Sequence, residues 1–567
     1  MPVMKKSVLI YLLLIVATFS YAQQATPTFV APLGIDLLLS ANFGELRANH
    51  FHSGVDFKTQ GRTGYKVYAA DEGYVSRIAV SPWGYGKVLY IDHPSGYTTV
   101  YAHLDDFVGT IADTIQRMQY ERESYAIDTL LAPGMLPVSR GMYIAKSGNS
   151  GSSGGPHLHF EIRHTESESP IDPLRFYSHL IKDNTAPEPR MVALYKHDAV
   201  AEGLPLPKQV AYPEAVSANN YNVATDFESW GRVSLGVKAY DRMNGTTNIY
   251  GVRRVSCWVD DALLYESVID SITFAETRYI NSFIDYKEFR TNKGSTIMRT
   301  AIAPGNNLST IYGNMPGDGT FVIDENRSYR CRMELTDFYG NKSVVKFVIQ
   351  GRPVSLVPVQ GTPDGVFFDY RHDNEYATDE MNIHIPAGAL YENLYFVHSS
   401  KSSEANYSST HQVHNVGVPL HKWCELAVKI TCDTLPDEKY YLQYRHGDKK
   451  SEVIGRYEAG WYVAQVRNLG TYTVVADLTA PEITALTPEK RSSSGVVAFK
   501  ISDKGSGVAT YRAEVDGAFC LFEYDAKRNR LSCRMADTPF AKGEHTLVLT
   551  VTDYCGNVKQ TEHIIKI

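Results

Sequence analysis

Residues 157–161 read His157-Leu158-His159-Phe160-Glu161 and follow the run Ser150-Gly151-Ser152-Ser153-Gly154-Gly155-Pro156. The alternation predicts a strand entered from a glycine loop. A period of two puts His157, His159 and Glu161 on one face and Leu158 and Phe160 on the other. Two imidazoles aimed the same way are hard to account for as core packing, so the strand reads as part of a polar site built on a β-sheet. Glu161 is read as a supporting or surface residue beside them. The loop lacks the GxxxxGK[ST] pattern and is not a phosphate cradle.

Two upstream stretches extend the site. In His52-Ser53-Gly54-Val55-Asp56, a strand reading brings His52 and Asp56 to one face, turns Val55 and Phe57 to the core, and leaves space at Gly54. Tyr101-Ala102-His103-Leu104 ends an alternating strand with a third polar position. The first cysteine is Cys257, so a metal in the N-terminal half must be held by imidazole and carboxylate. His52, Asp56 and one of the paired histidines make three ligands with a fourth position open, as catalytic zinc requires. The other paired histidine and His103 remain to handle protons. Zinc supplies a water of pKa about 7 and polarises a carbonyl.

The ordered set His52-x-x-x-Asp56, Tyr101-x-His103-Leu104 and His157-x-His159 resembles the lysostaphin-type zinc endopeptidases that cut peptidoglycan peptides. Its surroundings fit the resemblance: Phe43-Gly44-x-x-Arg47, Gly73-x-Val75, Gly84-Tyr85-Gly86, Ser147-Gly148-Asn149-Ser150-Gly151 and Pro170-Ile171-Asp172-Pro173. The resemblance covers about residues 35–180. It implies zinc held by His52, Asp56 and His159, with His103 and His157 as a catalytic pair. It also implies an open β-sheet groove in which an extended peptide lies while activated water attacks the scissile carbonyl. By the same pattern His93 is structural. His50 has the wrong spacing from Asp56 for a ligand, and His164 reads as solvated. A different class of reading is a non-catalytic cell-envelope regulator or binding protein that retains the fold; such proteins lose ligands, and here every ligand position is filled.

The rest of the chain sets the architecture. Within its 567 residues, 43% are hydrophobic and 21% charged, with 56 Lys plus Arg against 63 Asp plus Glu. That length suggests three or four domains, and the balance gives no basic footprint for nucleic acid. Short Val-, Ile-, Tyr- and Thr-rich runs at Lys66 to Ala70, Gly73 to Ile78, Lys87 to Asp92 and Thr98 to His103 read as strands. Ile111, Ile115 and Met118 interrupt them at helical spacing. That helical insertion, about 107–140, is expected to wall the groove or plug it.

The linker Asp183-Asn184-Thr185-Ala186-Pro187 recurs as Asp477-Leu478-Thr479-Ala480-Pro481. Thr336-Asp337 with Gly340-Asn341 likewise recurs as Thr552-Asp553 with Gly556-Asn557. The fold class is therefore mainly β: an N-terminal open β-sheet metallopeptidase domain (23–182), then several β-sandwich modules. These are 183–351 and 477–567, of immunoglobulin-like type, and a β-rich unit of unknown role at 352–476. Residues 183–567 are expected to meet cell-envelope proteins or glycans.

Lys5 and Lys6 before the apolar run Ser7 to Phe19, ending in Ser20-Tyr21-Ala22, read as a signal peptide over 1–22. The expectation is an exported protein of the periplasm or cell surface with no later transmembrane segment. Cys424 with Cys432, and Cys520 with Cys533, are close enough to be hairpin disulfides. Cys331, opposite Leu547 in the repeat, is expected in a core.

Overall fold

The computed structural model describes residues 27–198, 205–313, 315–353, 364–403, 406–486 and 495–567. The expected signal peptide lies outside them. Among the described residues no helix is long and apolar enough to cross a membrane.

The N-terminal region is built on a nine-stranded sheet. Its main path uses β1 (Leu39–Ala41), β2 (Val55–Lys58), β3 (Gly73–Val80), β4 (Lys87–Asp92), β5 (Tyr97–Ala102), β6 (Ile127–Leu130) and β7 (His157–His164). Their order across the sheet is β1-β2-β7-β5-β4-β3-β6. The last long strand in sequence, β7, is thus threaded between β2 and β5. Alternation does what the sequence requires of it. Leu158, Phe160 and Ile162 of β7 are fully buried, and Phe160 lies 5.3 Å from Tyr101, 5.8 Å from Phe57 and 5.8 Å from Tyr177, ring to ring. Burying each such aromatic ring contributes roughly 1.5–3 kcal/mol, so the opposite, polar face rests on a rigid floor.

Two expectations change here. Regular strand begins only at Val55, so His52 arrives from irregular chain after the short strand His50–Phe51. Gly54 is a site of close approach rather than of open space: a Cβ there would stand 2.3 Å from the Phe160 carbonyl oxygen. The insertion is helical only over α1 (Gly109–Glu121), which buries Ile111 and Ile115. Ile127–Leu130 and Pro137–Val138 instead pair with β3 and extend the main sheet.

Beyond residue 183 the described chain is β-rich. Glu188–Lys196 and Gly231–Tyr240 belong to a five-stranded sheet, and Arg254–Val259, Ser328–Thr336 and Lys342–Gly351 to a seven-stranded one. Residues 374–476 hold two five-stranded sheets and residues 482–566 two four-stranded sheets. One hydrophobic core runs unbroken from Phe29 to Ile349. Phe51 packs edge-on against Phe283, centroids 5.7 Å apart, and Tyr250 donates to the Leu39 carbonyl at 2.8 Å.

All seven cysteines are free thiols. Cys424 points into a core whereas Cys432 lies past the strand end at the surface. Cys520 and Cys533 are both buried in the last core, and Cys331 is buried as expected.

The α1 helix lies against the C-terminal unit. Gln116 donates to the Asp537 carbonyl at 2.7 Å, and Tyr120 meets Phe519 edge-on at 5.8 Å. The Glu123 carboxylate pairs with Arg512 at 2.8 Å. Its partner is a neighbouring module, and none of these contacts reaches the histidines expected of a plug.

Candidate metal centre

The register of β7 gathers the site. His159 stands opposite Asp56 on β2 and opposite Ala102 on β5, so one residue further His103 leaves the sheet beside it. His103 adopts φ 56°, a left-handed conformation uncommon outside glycine. Its backbone N–H donates to the Tyr85 carbonyl at 2.9 Å.

Each imidazole is oriented by a hydrogen bond on one nitrogen. His52 donates from Nδ1 to the Asn42 carbonyl at 2.7 Å, and His159 donates from Nε2 to Glu161 at 2.8 Å. His103 donates from Nδ1 to the Ser150 carbonyl at 2.9 Å, and His157 from Nδ1 to the Gly155 carbonyl at 2.8 Å. Carbonyl and carboxylate oxygens only accept, so these bonds fix the proton on the outer nitrogen and leave His52 Nε2 and His159 Nδ1 facing inward. These two atoms are 3.0 Å apart. Asp56 Oδ1 lies 3.1 Å from the first and 2.9 Å from the second, and 3.5 Å from His157 Nε2. Asp56 Oδ2 is taken by Arg47 Nη2 at 2.8 Å.

Two imidazole nitrogens and a carboxylate oxygen, all within 3.1 Å of one another, describe a cation site. Two imidazoles and one carboxylate are a donor set that zinc accepts. The separations fall just short of the roughly 3.3 Å between ligands about 2.0 Å from a tetrahedral ion. His52, Asp56 and His159 therefore fit a metal, and all three are buried.

The electrostatics agree. Burial drives the His52 imidazole down to about 4 despite Asp56. Burial would raise the Asp56 carboxyl, but His52 and the hydrogen bonds from His157 and His159 hold it well below the ordinary range. Burial would likewise lower His159, yet its bonds to Asp56 and Glu161 lift it to about 9. Burial, then His159 and His157, push His103 down to about 3.

Glu161 is fully buried, which settles its place as a support for His159 rather than a surface group. Its carboxylate also accepts from Ser53 at 2.7 Å, from Arg163 at 2.6 Å and from the Tyr85 hydroxyl. Sequence reasoning gave no role to Arg47, Ser53, Tyr85 or Arg163. Only Arg163 carries a signal, being the next residue on the same face of β7. His93 is buried between the Glu72 carbonyl and Thr99, while His50 and His164 are exposed.

The glycine loops lock the histidine supports in place. A Cβ on Gly151, at φ 66°, would stand 2.3 Å from the Gly86 nitrogen, so the Gly84–Gly86 turn and the 148–156 loop interlock through bare backbone. On the outside of that loop, Lys527 of the C-terminal unit donates to the Ser153 carbonyl at 3.0 Å and to the Asn149 carbonyl.

Comparison with known proteins bears on this region. Residues 50–120 match Peptidase family M23, a span that includes His52, Asp56 and His103, and residues 365–477 match a Zu5-like domain. The chain is 35% identical over 111 residues to the peptidoglycan DD-endopeptidase ShyB of Vibrio cholerae, covering 20% of each protein. It is 32% identical over 111 residues to an uncharacterized metalloprotease of Haemophilus influenzae, covering 20% of this chain and 18% of that one. The chain thus spans about a fifth of the length of these curated relatives. Among solved structures it is similar to the catalytic domain of lysostaphin from Staphylococcus simulans (23% identity, 25% of this chain and 92% of that one, TM-score 0.19). A zinc-containing peptidase from Vibrio cholerae also matches (28% identity, 26% and 39%, TM-score 0.19). The N-terminal region is thus the part of the chain that is similar to peptidase family M23 and to these metallopeptidases.

Proposed function

We propose that the protein is an exported zinc endopeptidase that hydrolyses peptide bonds in peptidoglycan cross-links or stem peptides. The observation that carries this reading is the convergence of His52 Nε2, Asp56 Oδ1 and His159 Nδ1 within 3.1 Å of one another. Those residues would hold the ion, which when bound supplies an acidified water and a polarised scissile carbonyl.

The chain's own groups do the rest. His103, kept neutral by burial and by its histidine neighbours, offers Nε2 as a proton acceptor. His157, whose side chain is 14% exposed, passes a proton to the departing amine. Ser150 and Gly155 hold both rings by their Nδ1 atoms, so little reorientation is needed at reaction. Glu161 and Arg47 orient His159 and Asp56. Residues 183–567 present the peptidase to its envelope substrate.

The test is incubation of zinc-loaded protein with cross-linked peptidoglycan, with released muropeptides followed by mass spectrometry and His159→Ala as control. New peptide ends are expected from the wild type alone. No products from the zinc-loaded protein, or equal products from the variant, would refute the reading.

A further inference from the structure

A second convergence of acceptors lies away from the histidines, at the corner where the linker enters the first copy of the repeat. Asp183 comes from that linker, Asp241 from the end of strand Gly231–Tyr240, and Asp337 from the turn after strand Ser328–Thr336. One oxygen from each lies within 4.8 Å of the others. Together with Asn42, Asp172 and Arg253 they line a cavity of about 10 Å³.

Two of these oxygens are orphans. Asp183 Oδ2 and Asp241 Oδ1 are buried and have no hydrogen-bond partner among the described residues, and Asp241 is only 4% exposed. The nearby guanidinium does not answer them, because Arg253 is engaged by Asp270 at 2.5 and 2.7 Å. Burial, with Asp337 beside it, pushes the Asp241 carboxyl up to about 8. Burial and Asp183 likewise lift Asp337 to about 6. A buried carboxylate without a counter-charge is costly, and a proton or a bound cation relieves it; three around one void offer a cation several oxygens at once.

The second copy of the repeat is an internal control. Asp477 Oδ1 accepts from the Thr479 N–H at 3.1 Å, as Asp183 Oδ1 does from Thr185 at 3.0 Å. Asn557 Nδ2 binds Asp553 and the Asp477 carbonyl, as Asn341 Nδ2 binds Asp337 and the Asp183 carbonyl. The copies differ where the orphans lie. Ser506 donates its N–H and hydroxyl to Asp477 Oδ2 at 2.7 and 2.8 Å, and the Gly505 and Gly507 N–H groups both donate to Asp503, each at 2.8 Å. Asp477, Asp503 and Asp553 also bring one oxygen each within 4.8 Å of the others, but there the chain's own donors meet Asp477 Oδ2 and Asp503, whereas in the first copy two oxygens are left facing a void.

We propose that Asp183, Asp241 and Asp337 bind one calcium ion at the seam between the N-terminal region and the first copy of the repeat. The donors are all oxygen and come from three irregularly placed segments, which suits calcium and not zinc. The ion ties the 183–187 linker to two strand ends on the wall shared with Asn42 and Asp172.

The experiment uses the full chain, stripped of calcium with a chelator and then saturated with zinc so that the histidine cluster is filled. Equilibrium dialysis against labelled calcium chloride is paired with thermal unfolding. The expected result is about one calcium per chain and a higher Tm with calcium than without. Asp241→Asn is expected to weaken binding at least ~10-fold, to abolish the Tm shift, and to unfold no lower than the calcium-free wild type, since it removes a repelling charge. Asp503→Asn, the matching change in the other copy, is expected to keep the bound calcium. No bound calcium, binding by Asp241→Asn equal to wild type, or loss of binding in Asp503→Asn would each overturn the proposal.

Discussion

The histidine cluster and the acidic corner face the same electrostatic problem and differ in how the surrounding chain answers it. Around Asp56 the positive charge is at hand: Arg47 holds one oxygen and three imidazoles crowd the other. Every ring is aimed by a hydrogen bond behind it, and His157 leaves the cluster partly open. Around Asp241 the converging groups are carboxylates, and the one guanidinium lining the cavity is committed to Asp270. Mixed nitrogen and oxygen donors with an open side are the build of a reacting centre, and oxygen donors alone the build of a fastener.

The sharpest way to break that contrast is His159→Ala. Two ligands do not retain a catalytic ion, so turnover on peptidoglycan should fall by about a thousandfold or more, and zinc should be lost by elemental analysis. The calcium-dependent Tm shift should persist, and its disappearance would show that the two clusters are one system. His103→Ala comes next. Zinc content should stay stoichiometric while kcat drops by ~10²–10⁴; an active variant would remove His103 from proton transfer.

Glu161→Gln keeps the shape of the support but removes its charge. Competition with a chelator should then show zinc held ~10–100-fold more weakly. Lys527→Ala probes the outermost brace of the 148–156 loop. As an exposed contact it is worth about 1 kcal/mol or less, so a loss of turnover of a few-fold with unchanged zinc is expected. A loss as large as that of His103→Ala would place the C-terminal unit inside the catalytic machinery.

How far the sequence carried depended on the range of each contact. His157 and His159 were legible because a strand's period of two is local, and the Leu158 and Phe160 side of β7 followed from it. The repeat was legible too, since its Asp, Thr and Asn landmarks recur in order, and their hydrogen bonds prove equivalent atom by atom. His52 and Asp56 were found by pattern, but through a strand that starts only at Val55; what orients His52 is the Asn42 carbonyl, a contact no spacing rule encodes. Tyr85, Ser53 and Arg47 all lie in stretches the pattern marks, but the bonds they make to Glu161 and Asp56 cross between elements, so spacing did not show their roles. Helical spacing showed α1 but not its partner, because Phe519, Asp537 and Arg512 lie some four hundred positions away. Cys424 and Cys432 looked pairable by proximity, but one faces a core and the other faces out.

The unbroken packing from Phe29 to Ile349 has a practical consequence for anyone who treats the chain as a set of cassettes. A graft that lifts residues 27–182 into a new scaffold would carry Phe51 and Leu39 away from Phe283 and Tyr250, leaving a raw apolar flank that seeks other raw flanks. A cut further along spares that core, since those of 368–474 and 497–565 are separate clusters, but it bares the α1 face that meets Phe519, Asp537 and Arg512. Residues 27–351 keep the first core whole, and any transplant of them must also clothe that face of α1.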